Sequence, residues 1–184
     1  MYVKKNDINN ISFDRKKYDF VTIGRLAKEK GILEISEVFS HTNHSLLVAG
    51  IADESFDIDE LLDIVSCNDN INLLLEYLSE DDFTSCINQS RYCILNYQGV
   101  YSERSSGIAL DALFSGIPVV GHRCRALQFI EDYGMGFLYD DAEKFDFSSI
   151  LTKSVWEKCV SAIDVYKQEF EKHKQNLLDF VGVA

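Results

Sequence analysis

Six short apolar runs, at residues 18–23, 45–50, 71–75, 92–96, 118–120 and 136–139, punctuate this chain. The stretches between them space their apolar residues as helices do. Helices are predicted over residues 31–39, 53–66, 79–90, 106–115, 126–133 and 154–180. Runs this short, with apolar residues on both faces, need cover on both sides, which a parallel sheet between two helical layers supplies. The fold class expected is therefore α/β: a doubly wound, Rossmann-like parallel sheet of about six strands with helices on both faces, in one domain. Residues 1–17 read as a polar tail or linker, and residues 18–184 as the domain, with its C-terminal helix at 154–180. The chain's one proline, Pro118, falls at the first residue of a strand, where its missing N–H costs nothing.

Charge removes one class of partner. Thirty acidic residues stand against 18 basic ones, and the densest basic run is Arg15-Lys16-Lys17. A nucleic-acid partner requires a concentrated positive face, so none is expected. Five cysteines without a C-x-x-C spacing suggest neither a disulfide frame nor a zinc site, and read as free thiols in a reducing compartment. No apolar run approaches the ~20 residues of a membrane span, and no secretory leader is apparent. A cytoplasmic location is expected, with peripheral contact at the inner membrane face as an option.

In a doubly wound fold, ligands sit beyond the carboxyl ends of the strands. Two stretches fall there. Gly24-Arg25-Leu26-Ala27-Lys28-Glu29-Lys30-Gly31 follows one strand and opens a helix. It sets Arg25 and Lys30 near a helix N-terminus, a natural anion site, although a solvated basic turn would read the same way. The second stretch runs from Tyr101 to Val120. Ser105, Ser106 and Gly107 suit a helix tip that phosphate oxygens can approach. Glu103 precedes that helix, and Asp111 lies a turn inside it, placed to accept hydrogen bonds from a pentose diol. An ordinary capped helix with Glu103 at its positive end fits the same letters.

Together these stretches resemble the group 1 (family-four-like) glycosyltransferases. Gly24-Arg25-Leu26 with Lys30-Gly31 is similar to their G-R-L-x-x-x-K-G motif. Glu103, Asp111-Ala112-Leu113 and Gly116-x-Pro118-Val119-Val120 are similar to their E-x7-E-A-M-x-x-G-x-P-V-V motif. The resemblance implies the nucleotide-sugar-binding half of a two-domain (GT-B) enzyme, a hexosyltransferase that retains anomeric configuration. It implies that Arg25 and Lys30 hold the donor diphosphate, with Gly24 in the same loop, and that Glu103 meets the donor sugar. These three, Glu103, Arg25 and Lys30, are the candidate catalytic residues. Ser106 and Gly107 would offer amides to phosphate, and Asp111 would bind the ribose. The base would lie against residues 76–79.

The implied partners are a UDP- or GDP-sugar, a glycan or lipid-linked acceptor, and an N-terminal GT-B domain for which this chain has no room. No cofactor and no metal are implied. Three departures stand out. The second acid is Asp111 where the family has Glu. Arg104-Ser105-Ser106 replaces the usual G-F-G. His122-Arg123-Cys124-Arg125 replaces a Gly-Gly pair and adds positive charge to the expected cleft. Two other readings stay open: a non-catalytic nucleotide-sugar sensor or assembly domain, and a related sugar-nucleotide epimerase on the same fold.

Overall fold

Phe20, Val21 and Ile23 leave at most 2% of their surface to water. Residues that apolar belong at the centre of a sheet, and β1 (Tyr18–Ile23) lies there. The computed structural model describes residues 12–181. Within them, six parallel strands run in the order β3-β2-β1-β4-β5-β6. The others are β2 (Leu46–Ala49), β3 (Ile71–Leu74), β4 (Ser90–Leu95), β5 (Val119–His122) and β6 (Gly136–Tyr139). β1 pairs with β2 through Phe20–Leu46 and Ile23–Ala49, and with β4 through Phe20–Tyr92 and Val21–Cys93. The chain winds outward from β1 to β3, returns to β4 and then winds the other way. The carboxyl ends of β1 and β4 therefore flank the reversal point, where such sheets open a crevice.

Two cores cover the two faces. One face packs β-strand side chains such as Phe20, Leu46 and Tyr92 against α1 (Ile32–Ser40), α2 (Ile58–Ser66) and α6 (Phe147–Ile150). Phe20 anchors it, edge-on to Phe39 at 5.0 Å and stacked on Tyr92 at 5.7 Å. Each fully buried aromatic of this kind stabilises the fold by roughly 1.5–3 kcal/mol. The opposite face packs Val21, Cys93 and Val119 against α3 (Glu80–Asn88), α4 (Gly107–Phe114) and α5 (Gln128–Asp132). The helix starts follow from local chemistry: Ser79 Oγ accepts from the Asp82 N–H, and Ser106 Oγ from the Ala109 N–H. α7 (Lys153–Val181) serves both cores, with Trp156 on the first face and Ile163 on the second. Along it, Cys159 and Ile163 are buried and Phe170 meets Phe114 edge-on at 5.2 Å.

Residues 1–11 lie outside the described residues. The rest of the expected tail packs on the domain: the Phe13 ring sits 5.8 Å from Trp156, and Lys16 is 6% exposed. Lys16 donates to the Asn88 carbonyl at 2.8 Å, at the end of α3. Burial, and then the charge of Arg91, push its pKa down from 10.5 to about 8. The folded chain thus binds fewer protons than the unfolded chain between these two values. The burial penalty is full below the lower value and fades as pH rises toward the upper one. Lys16→Met should therefore be more stable than the parent at pH 7, by roughly 2 kcal/mol after loss of one hydrogen bond. Urea unfolding should show that advantage shrinking as pH rises from 8 to 10.5. A difference that stays constant with pH would refute this account of Lys16.

Candidate functional site

The loops that leave β1 and β4 meet above the sheet. The Gln98 N–H donates to the Glu29 carbonyl at 2.8 Å, and the buried Asn96 Nδ2 donates to the Gly31 carbonyl at 3.0 Å. Tyr139 Oη donates in turn to Asn96 Oδ1 at 3.0 Å, so Asn96 ties the ends of β4 and β6 to the start of α1. Between these loops opens a cleft of about 330 Å³. Gly24, Arg25, Lys30, Ser106, Gly107 and Asp111 all line it. Two stretches separated by some 70 residues of sequence are thereby brought to one place. Tyr101, Tyr97, Phe83 and Arg104 complete much of the wall.

Lys30 is the unusual group. Its side chain is buried, 8% exposed, and its ammonium stands 5.6 Å from the centre of the Tyr101 ring. Among the described residues it makes no ion pair and no hydrogen bond. Desolvation, the largest cause, lowers its pKa and the nearby Arg25 adds to it, while Cys93 and the Asp53 carboxylate pull the other way without pairing with it. A buried cation facing a cleft with no ion pair costs stability unless an anion arrives to meet it.

Arg25 is held differently. Its Nε lies 3.1 Å from Asp53 Oδ2, in the loop after β2. Asp53 is fixed by the Ser55 N–H at 2.8 Å and the Ser55 hydroxyl at 2.5 Å. Those hydrogen bonds from Ser55, and then Arg25, hold the Asp53 carboxyl below its usual range. With Nε engaged, the two Nη groups of Arg25 are left to bind something else.

At the far wall, Ser106 caps α4. Its Oγ accepts from the Ala109 N–H at 3.0 Å and shares a 2.7 Å hydrogen bond with Tyr97 Oη. The Leu110 N–H goes to the Ser106 carbonyl at 3.3 Å. The N–H groups of Gly107 and Ile108 have no partner among the described residues, as the first donors of a helix do not. A Cβ built on Gly107 would meet nothing within 4 Å, so the helix tip opens onto free space. The α4 dipole adds positive potential there. Asp111 is half-buried, and desolvation raises its carboxyl pKa.

Glu103 does not line this cleft. It ends a 3-10 turn (Gly99–Glu103) and faces Arg125 at 3.8 Å, with 64% of its side chain exposed. The added positive charge expected from Arg123 and Arg125 does not reach the cleft either. Arg123 is committed to Glu131 and, at 2.9 Å, to Asp140, while Arg125 takes Glu103. Cys124 and His122 share no hydrogen bond among the described residues. Burial, first among its causes, pushes the Cys124 thiol pKa up, the reverse of an activated nucleophile. Asp53, Tyr97 and Phe83 escaped the sequence reading. The only clue was the position of Asp53 in a loop at the ligand-binding edge.

A larger groove, about 1190 Å³, runs along α1 beside α2 and the stretch after β6. It is lined by Glu34, Glu37, Asp57, Glu60, Asp141 and Glu143, with Lys28 and His41. That potential repels an anion, so the smaller cleft is the better seat for a phosphate. Among the described residues, no cluster of His, Cys, Asp and Glu could hold a metal ion, and no helix is long and apolar enough to cross a membrane.

Comparison with known proteins agrees with this fold. The family described as glycosyl transferases, group 1, matches residues 3–154. Among solved structures, the C-terminal domain of a glycosyl transferase group 1 family protein from Francisella tularensis superimposes with a TM-score of 0.69 at 16% identity, covering 92% of this chain and 95% of that one. AviGT4, a glycosyltransferase involved in avilamycin A biosynthesis, gives 0.60 at 18% identity, covering 89% of this chain and 52% of its own. The catalytic domain of starch synthase IV from Arabidopsis thaliana, bound to ADP and acarbose, gives 0.59 at 15% identity, covering 89% of this chain and 39% of that one. At these identities the likeness establishes the fold. The chain spans about half or less of the latter two. No protein in the curated set matches it in sequence.

Proposed function

Since the chain belongs to the group 1 glycosyl transferase family, we propose that its cleft binds the donor of a retaining glycosyl transfer, a UDP- or GDP-linked hexose. One observation carries the reading: an unpaired, buried Lys30 and the free N–H groups at the tip of α4 line one cleft with Asp111. The diphosphate lies between Lys30, the Arg25 Nη groups and the amides of Gly107 and Ile108. Asp111 accepts hydrogen bonds from the ribose hydroxyls. When the bond from the anomeric carbon to the phosphate oxygen breaks, charge gathers on the departing diphosphate. Lys30, Arg25 and the helix end stabilise that charge without first reorganising. Glu103 meets hydroxyls of the donor sugar once it turns from Arg125. A second doubly wound domain, on the same or another chain, presents the glycan or lipid-linked acceptor on the cytoplasmic side. The coverage of only about half of longer relatives supports such a partner.

Calorimetry on the full chain with UDP, GDP and ADP tests this reading. One of the three should bind, and Asp111→Ala should weaken it about tenfold, the loss of one charge-assisted contact. Undetectable binding of all three would overturn the proposal. Unchanged affinity in Asp111→Ala would remove the ribose role alone.

A further inference from the structure

The cleft contains one cation that the diphosphate reading does not use. In a chain with 30 acids against 18 bases, most arginines find a carboxylate. Arg25 has Asp53, Arg91 has Asp19, Arg123 has Glu131 and Asp140, and Arg125 has Glu103. Arg104 lines the cleft, yet has no ion pair and no hydrogen bond among the described residues. The nearest acid in sequence, Glu103, is turned to Arg125. Arg104 therefore presents an intact guanidinium fork, a group suited to two-point binding of a planar carboxylate.

Its place along the cleft identifies what it would meet. Asp111 lies four residues into α4 from Gly107, about 6 Å down the axis at ~1.5 Å per residue. Gly107 is the helix tip. Arg104, exposed, also lines the cleft and comes before the cap Ser106 in the chain, whereas Asp111 comes after the tip. A ligand with its pentose at Asp111 and its diphosphate at Gly107 brings its third unit, the sugar, to Arg104. Resting on the donor-binding reading above, we infer that Arg104 selects a donor whose sugar is acidic: a nucleoside diphosphate hexuronate rather than a neutral hexose. The carboxylate on the sugar pairs with the guanidinium.

The test compares donors that differ only at that carboxylate. Calorimetry with the full chain would use UDP-glucose against UDP-glucuronate, GDP-mannose against GDP-mannuronate, and UDP and GDP alone. For the base that binds, the uronate should bind at least about tenfold more tightly than the neutral sugar. In Arg104→Gln that ratio should fall to near one, while affinity for the parent diphosphate changes less than about twofold, which also shows that the variant is folded. Equal binding of neutral and acidic sugars by the parent chain overturns the inference and leaves donor binding standing. So does an Arg104→Gln variant that weakens the parent diphosphate as much as the uronate, because Arg104 would then be a diphosphate contact. Binding of none of these ligands overturns both readings.

Discussion

Lys30→Met should leave a protein that is more stable without ligand and nearly unable to bind a nucleoside diphosphate. The two effects have one cause. Lys30 is 8% exposed, makes no ion pair among the described residues, and has its pKa lowered by desolvation. Carrying that charge costs the free protein stability, and an apolar isostere of the same stem relieves the cost by about 1–2 kcal/mol. The same charge is what an entering diphosphate meets in the cleft. Removing it should lower affinity at least a hundredfold, in line with the roughly 3 kcal/mol that breaking a buried charge pair costs. Urea unfolding and calorimetry on one preparation check both halves. A structural lysine would behave otherwise: its loss would destabilise the protein and leave binding intact.

The second large effect is expected at Gly50, which no ligand need touch. Gly50 follows β2 with φ +135, a conformation that side-chain-bearing residues rarely adopt. A Cβ there would fall 1.8 Å from the carbonyl oxygen of Gly24. Neither backbone can move aside, since the Gly24 N–H is bonded to the Ala49 carbonyl and the Gly50 N–H to the Leu74 carbonyl, both at 2.9 Å. Gly50→Ala should therefore cost at least about 3 kcal/mol through strain and collision together. Because Gly24 opens the loop that carries Arg25 and Lys30, the surviving folded fraction should also bind nucleotide more weakly. A fall in the urea midpoint of less than about 1 kcal/mol equivalent would show that the loop is softer than this packing implies.

Much of this architecture could be read from the chain before any coordinates. Apolar runs such as residues 18–23 and 92–96 became the central strands because both faces carry buried apolar side chains, Phe20, Val21 and Ile23 in one and Tyr92, Cys93, Ile94 and Leu95 in the other. The helices predicted from residues 79 and 106 start there, where Ser79 and Ser106 cap them through their hydroxyl oxygens. Short elements escaped. α6 has only four residues, too few for periodicity, and the predicted helix at 126–133 shrinks to Gln128–Asp132. The candidate site divides along the same line. Gly24, Arg25, Lys30, Ser106, Gly107 and Asp111 converge because regular elements deliver them to one crevice. Glu103 sits on an irregular turn, where spacing does not dictate which way a side chain goes, and Arg125 draws it outward. Asp53 was illegible for another reason. Its contact with Arg25 depends on the pairing of β1 with β2, a contact across the fold that no local pattern encodes.

The claim on which the rest depends is that a nucleoside diphosphate settles against the tip of α4. Amide chemical-shift mapping during titration with UDP, GDP and ADP addresses it residue by residue. The largest shifts should fall on the N–H groups of Gly107 and Ile108, with smaller ones along the loop from Gly24 to Gly31, and Lys30→Met should abolish them. Shifts confined to the acidic groove along α1, around Glu34 and Glu37, or unchanged by Lys30→Met, would contradict the account.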